Sequence, residues 1–272
     1  MKGGGICPLF KNRVKGMDAV GIREIYAIEM RKVLKKPITA VLLVAFILPL
    51  FYAVSIYTDA AYIYTEGESD IFSSALMNWI MLQYICLPQI LISLIATKGF
   101  GYELEEGQIK MLLLIGVGRT KLLLSKVFVN LTLLMGLYAT FYIFSYIVYI
   151  PCDGMVRMDI FVEWLSMDAG RFLLIDALYL VNIFMISNVV VCLSLFCKPF
   201  TSFMIGVGIS LMAMLLQYFP VVKYFLPMYV ANQVTSMTIS TTSAVLAFCI
   251  FVFIAFVPIM IAIKKFNKID IK

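Results

Sequence analysis

The chain has 272 residues, of which 62% are hydrophobic and only 14% are charged. A soluble domain carries about a quarter charged residues, so this chain is too poor in charge to cover a water-exposed surface. The net charge is +6 and there is no histidine, which excludes Ser-His and Cys-His catalysis and His-ligated metal.

The cations lie beside long apolar runs. That placement suits anchoring and orientation in a membrane rather than nucleic-acid binding. The runs predict an all-α polytopic membrane protein with six transmembrane helices in a single domain, 1–272. Four of the six cysteines (Cys86, Cys192, Cys197 and Cys249) fall in apolar runs, Cys7 in the basic arm and Cys152 in a loop. Their spacing suggests packing rather than zinc or a disulfide framework.

Residues 1–36 form a basic arm with nine cations. From Asp18 to Lys36 the pattern is amphipathic, with Ile22, Ile25, Tyr26, Met30, Val33 and Leu34 on one broad face. Such a helix lies in the membrane interface; a solvated juxtamembrane helix is the alternative. The first span is expected at 37–58, with Pro49 as a kink, and is retained rather than cleaved. An acidic loop, 59–70, leads to the second span at 71–97, which contains Pro88. A polar stretch from Lys98 to Lys121 separates it from the third span at 122–150. After the loop at 151–171 come the fourth span at 172–197, a tight Lys198-Pro199 turn and the fifth span at 200–219. The apolar, irregular stretch 220–240 suggests short helices dipping into the outer leaflet. The sixth span is expected at 241–263, followed by a basic tail, 264–272.

Eighteen Lys and Arg fall on the side of the two termini and three on the other. Both termini are therefore expected in the cytoplasm, with no large external domain.

The loop after the second span reads Glu103, Glu105, Glu106, Gly107, Gln108, Ile109, Lys110, then an apolar turn, Gly116, Val117, Gly118, Arg119, and finally Ser125-Lys126. It predicts a short cytoplasmic helix tied at both ends to spans. A partner pushing on it would move both. This arrangement resembles the permease subunits of bacterial type-2 ABC exporters. Their acidic pair and Gly-Thr-Leu-Lys-like step are matched by Glu106 to Lys110, their Pro-Val-Ser-Arg-like turn by Gly116 to Arg119, and their final Ser/Gly-Lys by Ser125-Lys126. Glycines at 116 and 118 depart from the usual proline and serine.

The resemblance implies an N-terminal elbow helix, six spans and a coupling helix around Gly107 to Leu114. Glu103, Glu105, Glu106, Gly107, Gln108, Ile109, Lys110 and Arg119 would then contact a separate ATP-binding subunit. A solvated acidic run is the plainer reading of the glutamates. ATP and Mg would sit on that subunit, with no cofactor or metal on this chain, and no Gly-x-x-x-x-Gly-Lys-[Ser/Thr] loop occurs here. A second permease, identical or homologous, and a bacterial plasma membrane are implied as well.

Polar residues within spans are the remaining candidates. Asp176 in the fourth span is either a substrate-path residue or an interfacial pair with Arg171. Gln83, Asn182 and Asn188 either line a path or bond between helices, as do Asn78, Gln89 and Asn130. Ser202, Gly206 and Ser210 recur every four residues, which marks close helix approach. In the resembled family this span contributes to the permease dimer, so the row is a candidate interface; packing within one subunit is the alternative.

The expected function is the membrane subunit of an ATP-driven exporter of a hydrophobic or amphipathic molecule (a drug, a peptide antibiotic or a lipid). The chain is not expected to be an enzyme. Glu105-Glu106 suggests an intramembrane protease only weakly, because such enzymes also need histidines. A stand-alone channel or secondary transporter is the alternative, but no inverted repeat or rich set of buried charges supports it.

Overall fold

A computed structural model of the chain describes residues 21–35, 43, 46–58, 71–114, 117–149 and 169–268. The arm before Gly21, the loops at 59–70 and 150–168, most of 36–45, Ile115-Gly116 and the last four residues lie outside them. Every regular element among the described residues is helical.

The amphipathic pattern near the start forms α1 (Ile22–Lys35). Its buried row is Ile25, Glu29 and Val33, one turn apart, while Ile22, Ile28 and Leu34 stay exposed. The apolar face is thus narrower than the sequence suggests, and it contains a carboxylate. Next is α2 (Ile47–Tyr57). Its first turn holds Pro49, where a missing N–H costs little; most of the span before Ile47, against which the predicted kink would show, lies outside the described residues. At 11 residues, α2 is too short to span a bilayer by itself.

The second predicted span is two helices, α3 (Ile71–Tyr84) and α4 (Leu87–Ala96), bent by 66°. Two features break it. Cys86 adopts a left-handed backbone (φ 56°), and Pro88 occupies the first turn of α4. A π-helical turn (Thr97–Gly101) extends α4 into α5 (Tyr102–Glu105), and α6 (Gln108–Leu114) follows.

The remaining spans are long and continuous. They are α7 (Arg119–Tyr149), α8 (Ala169–Leu193), α9 (Pro199–Leu216) and α11 (Thr241–Lys268). A 3-10 turn (Val222–Phe225) and α10 (Pro227–Thr235) lie before α11, where short helices were expected. Four helices are long and apolar enough to cross a membrane, or five if the bent pair is one span. Six spans are therefore not all present among the described residues.

At the centre stands α8. Of its apolar window 78% is buried, against 22% for α9 and for α11. Trp79, Leu82, Phe141, Leu180, Phe184 and Ile259 form the core around it. Asn188 donates from α8 to the Ala255 carbonyl of α11 at 3.0 Å, and Tyr179 donates to Asn232 of α10 at 2.8 Å.

The small-residue row of α9 faces inward. Ser202 and Ser210 are buried, and Ser202 Oγ lies 2.9 Å from Ser194 Oγ of the preceding turn. The Cys86 thiol donates to the Ser210 carbonyl at 3.6 Å. A Cβ on Gly206 would lie 2.3 Å from Val190 Cγ2 of α8. Ser202, Gly206 and Ser210 therefore pack inside one chain, the second of the two readings that their spacing allowed. The opposite face of α9 (Phe200, Met204, Leu211 and Leu215) is exposed. Changing Gly206 to alanine is expected to destabilise by about 1–3 kcal/mol through overpacking. Thermal unfolding in detergent would read the loss, and adding Val190→Ala should restore much of it.

Candidate coupling site

The segment between the second and third predicted spans is held by four kinds of contact. The first is a turn that only glycine adopts easily. Gly107 has φ +75°, its N–H meets the Leu104 carbonyl at 3.3 Å, and its carbonyl accepts from Met111 N–H as α6 begins. A left-handed conformation costs a residue with a Cβ about 1–2 kcal/mol, so Gly107 sets the angle between α5 and α6.

The second is an apolar plug. Ile109 is fully buried among Phe100, Leu122, Leu123 and Phe266. Its neighbours point the other way. Gln108 and Lys110 are exposed, Met111 is 66% exposed and Leu114 is 78% exposed. The helix thus presents two large apolar side chains beside a lysine, away from the core.

The third is a buried charge cluster. Lys126 Nζ, on α7, donates to Glu103 Oε2 at 2.5 Å, to Glu29 Oε2 at 2.7 Å and to the Gly99 carbonyl at 2.7 Å. Lys32 of α1 adds contacts to Glu29 Oε1 at 3.0 Å and Glu103 Oε2 at 3.4 Å. The Glu29, Glu103 and Lys126 side chains are each no more than 5% exposed. Among the described residues, two carboxylates face two ammonium groups here, and pairing of this kind is the condition for burying charge. Burial works against the charge on Lys32, but Glu29 and Glu103 outweigh it, so its pKa lies above the usual lysine value. The cluster ties α1, the π turn, α5 and α7 into one body.

Arg119 adds a fourth anchor. Its Nη1 donates to the Phe266 and Asn267 carbonyls at 3.0 and 3.1 Å. These carbonyls end α11 and lack intrahelical partners. A cation there also suits the negative end of the helix dipole. Displacing α6 would therefore act on α7, α1 and α11 together.

A protein-family model described as ABC-2 family transporter protein matches residues 25–217. The chain belongs to the ABC-2 transporter family. No curated protein matches it. Membership makes it a membrane transporter component rather than an enzyme.

Within that family assignment, the sequence-predicted residues fall into two groups. Glu105, Glu106, Gln108 and Lys110 are exposed on the coupling segment, with Gln108 donating to Glu106 at 2.6 Å. Glu103 and Arg119 are not part of that outer face, because Glu103 is 2% exposed in the charge cluster and Arg119 clamps α11. Ile109 also faces inward. The sequence reading missed Glu29 as a member of the site. The available signal was Lys126, a cation inside an apolar run that needs a carboxylate partner.

The intramembrane candidates are scattered. Asp176 is 1% exposed, and its Oδ2 accepts from Tyr138 Oη at 2.7 Å and Tyr142 Oη at 2.8 Å. Two phenols on α7 hold it, rather than the expected Arg171. Gln89 donates to Gln83 at 2.7 Å across the break between α3 and α4. Asn78 donates to Tyr149, and Asn188 bonds to α11. Asn182 lies elsewhere, in a groove between α8 and α9. The four substrate-path candidates therefore do not converge on one site. Replacing Asp176 by leucine is expected to lower the unfolding midpoint by stranding two phenol donors. Asparagine, which keeps an acceptor oxygen, should lower it less.

Proposed function

We propose that this chain is the membrane subunit of an ATP-driven exporter for a hydrophobic or amphipathic molecule, with ATP and Mg held by a separate cytoplasmic subunit. The observation that carries this reading is α6. It is anchored by Ile109 and the charge cluster, yet it leaves Lys110, Met111 and Leu114 exposed for a partner. Exposed apolar groups on a short polar segment suit a protein interface. Glu105, Glu106 and Gln108 would form its polar rim.

The mechanism follows from the anchors. Closure of two ATP-binding subunits on ATP would shift α6. The charge cluster would carry that shift to α7 and α1, and Arg119 would carry it to α11. The end of the bundle bearing α6, Lys198 and the C-terminus of α11 would face the cytoplasm, because the cations gather there. In this reading α1 is the elbow helix in the interface of a bacterial plasma membrane. The first two of six spans are the one ending in α2 and the bent α3–α4 pair. A second permease would complete the pathway. Because the inner face of α9 is occupied, the exposed face with Met204 and Leu211 is the better candidate for that contact.

Co-expression with the products of the neighbouring genes tests the reading. Co-purification in mild detergent, with ATPase activity that depends on this chain, is the expected result. A folded chain that never retains an ATP-binding subunit would favour a stand-alone channel or secondary transporter instead.

A further inference from the structure

An open groove of about 470 Å³ runs between α8 and α9. That size falls within the roughly 300–1,000 Å³ typical of small-molecule sites. Met185 and Ile186 form one wall, Ile205, Ile209 and Met212 the other, and Leu226 also lines it. A Cβ built on Gly208 meets nothing within 4 Å, so the backbone of α9 lies open to an occupant there.

Among the described residues, one polar residue lines the groove. Asn182 is 3% exposed, and among the described residues its amide forms no hydrogen bond. Of the other buried asparagines of the bundle, Asn78 bonds to Tyr149 and Asn188 to the Ala255 carbonyl, while Asn130 of α7, like Asn182, forms no side-chain hydrogen bond among the described residues. Asn182 is the fourteenth of the 25 residues of α8. At 1.5 Å per residue it lies about 20 Å from one end and about 16 Å from the other, near the bilayer midplane. An amide without a partner in hydrocarbon is costly. Bilayer acyl chains offer only methylene and methyl groups at that depth. The occupant that answers both features is apolar along its length and carries a hydrogen-bonding group in mid-body.

We propose that this groove binds an apolar amphiphile with an amide in its middle, the chemistry of a hydrophobic peptide backbone. Its role as cargo rests on the exporter reading above; the binding site does not.

The test uses the purified full chain in phosphatidylcholine nanodiscs with two radiolabelled probes. One is N-octyldodecanamide, and the other is heneicosane, a hydrocarbon of the same chain length. The amide probe is expected to bind saturably, at least about tenfold tighter than the hydrocarbon, as one extra hydrogen bond allows. Asn182→Leu should abolish that preference while hydrocarbon binding persists. Gly208→Leu, which fills the groove, should block the amide probe, and size-exclusion profiles would show that both variants fold. Equal binding of the two probes overturns the proposal. So does an Asn182→Leu variant that keeps the preference, or one that only converts dimers to monomers, since the amide would then serve a second copy of the chain. Probe preference without a bound ATP-binding subunit would fail the exporter reading and leave the site standing. A bound subunit without probe preference would fail the site alone.

Discussion

Replacing Lys126 by methionine is expected to destabilise the chain by about 3–5 kcal/mol, the usual cost of removing one partner from a buried ion pair. Methionine fills much of the lysine volume, so packing is nearly kept. What is lost is a group that touches both buried carboxylates at 2.7 Å or less. Glu29 and Glu103 would keep Lys32, which is 32% exposed and reaches Glu103 at 3.4 Å. That contact is too solvated and too long to compensate. The readout is the unfolding midpoint and the yield of monodisperse protein in detergent. The triple variant Glu29→Gln/Glu103→Gln/Lys126→Met should recover most of the stability, because it removes the charges together. It should also remain folded while transmitting the push on α6 poorly. A single Lys126→Met variant as stable as the parent would show that the cluster is not the structural tie argued above.

Placing glutamates at Met111 and Leu114 is the second large effect, and it acts on binding rather than folding. Both side chains are mostly exposed, at 66% and 78%. Surface substitutions of this kind change stability by about 0.5 kcal/mol or less. Affinity for the ATP-binding subunit should instead fall by at least about 100-fold, the loss typical of a central apolar contact. Immobilised permease and purified ATP-binding subunit would measure it. Unchanged affinity with an intact fold would move the docking surface away from α6.

The four long spans, α7, α8, α9 and α11, were legible because long apolar runs have few other solutions. The short helix beginning near Gly107 was legible too, from the apolar stretch that follows the acidic one, but the left-handed turn at Gly107 itself was not read from the sequence. The charge cluster was only half legible. Lys126 stands in an apolar run and demands an anion, but pairing it with Glu29 requires α1 to cross α7, and no local pattern encodes that crossing. For the same reason Glu29 was not singled out in the amphipathic helix, where it forms the middle of the buried row. The Ser202, Gly206 and Ser210 spacing announced a close approach without naming the neighbour, which proved to be Val190 of the same chain. Pro88 signalled a weak point in the second span. The size of the bend depends on Cys86, whose left-handed backbone has no signature in its residue type. Asp176 was visible as a buried acid, but its two phenol partners lie 34 and 38 residues earlier in the chain.

The central claim is that α6 is the surface on which an ATP-binding subunit pushes. Site-specific photocrosslinking tests it most directly, with a benzophenone side chain at Met111 and a control at Tyr218, which is 75% exposed near the opposite end of α9. The account predicts an adduct with the co-expressed ATP-binding subunit from position 111 and none from 218. A folded complex that gives no adduct from 111, or gives one from 218, would contradict it.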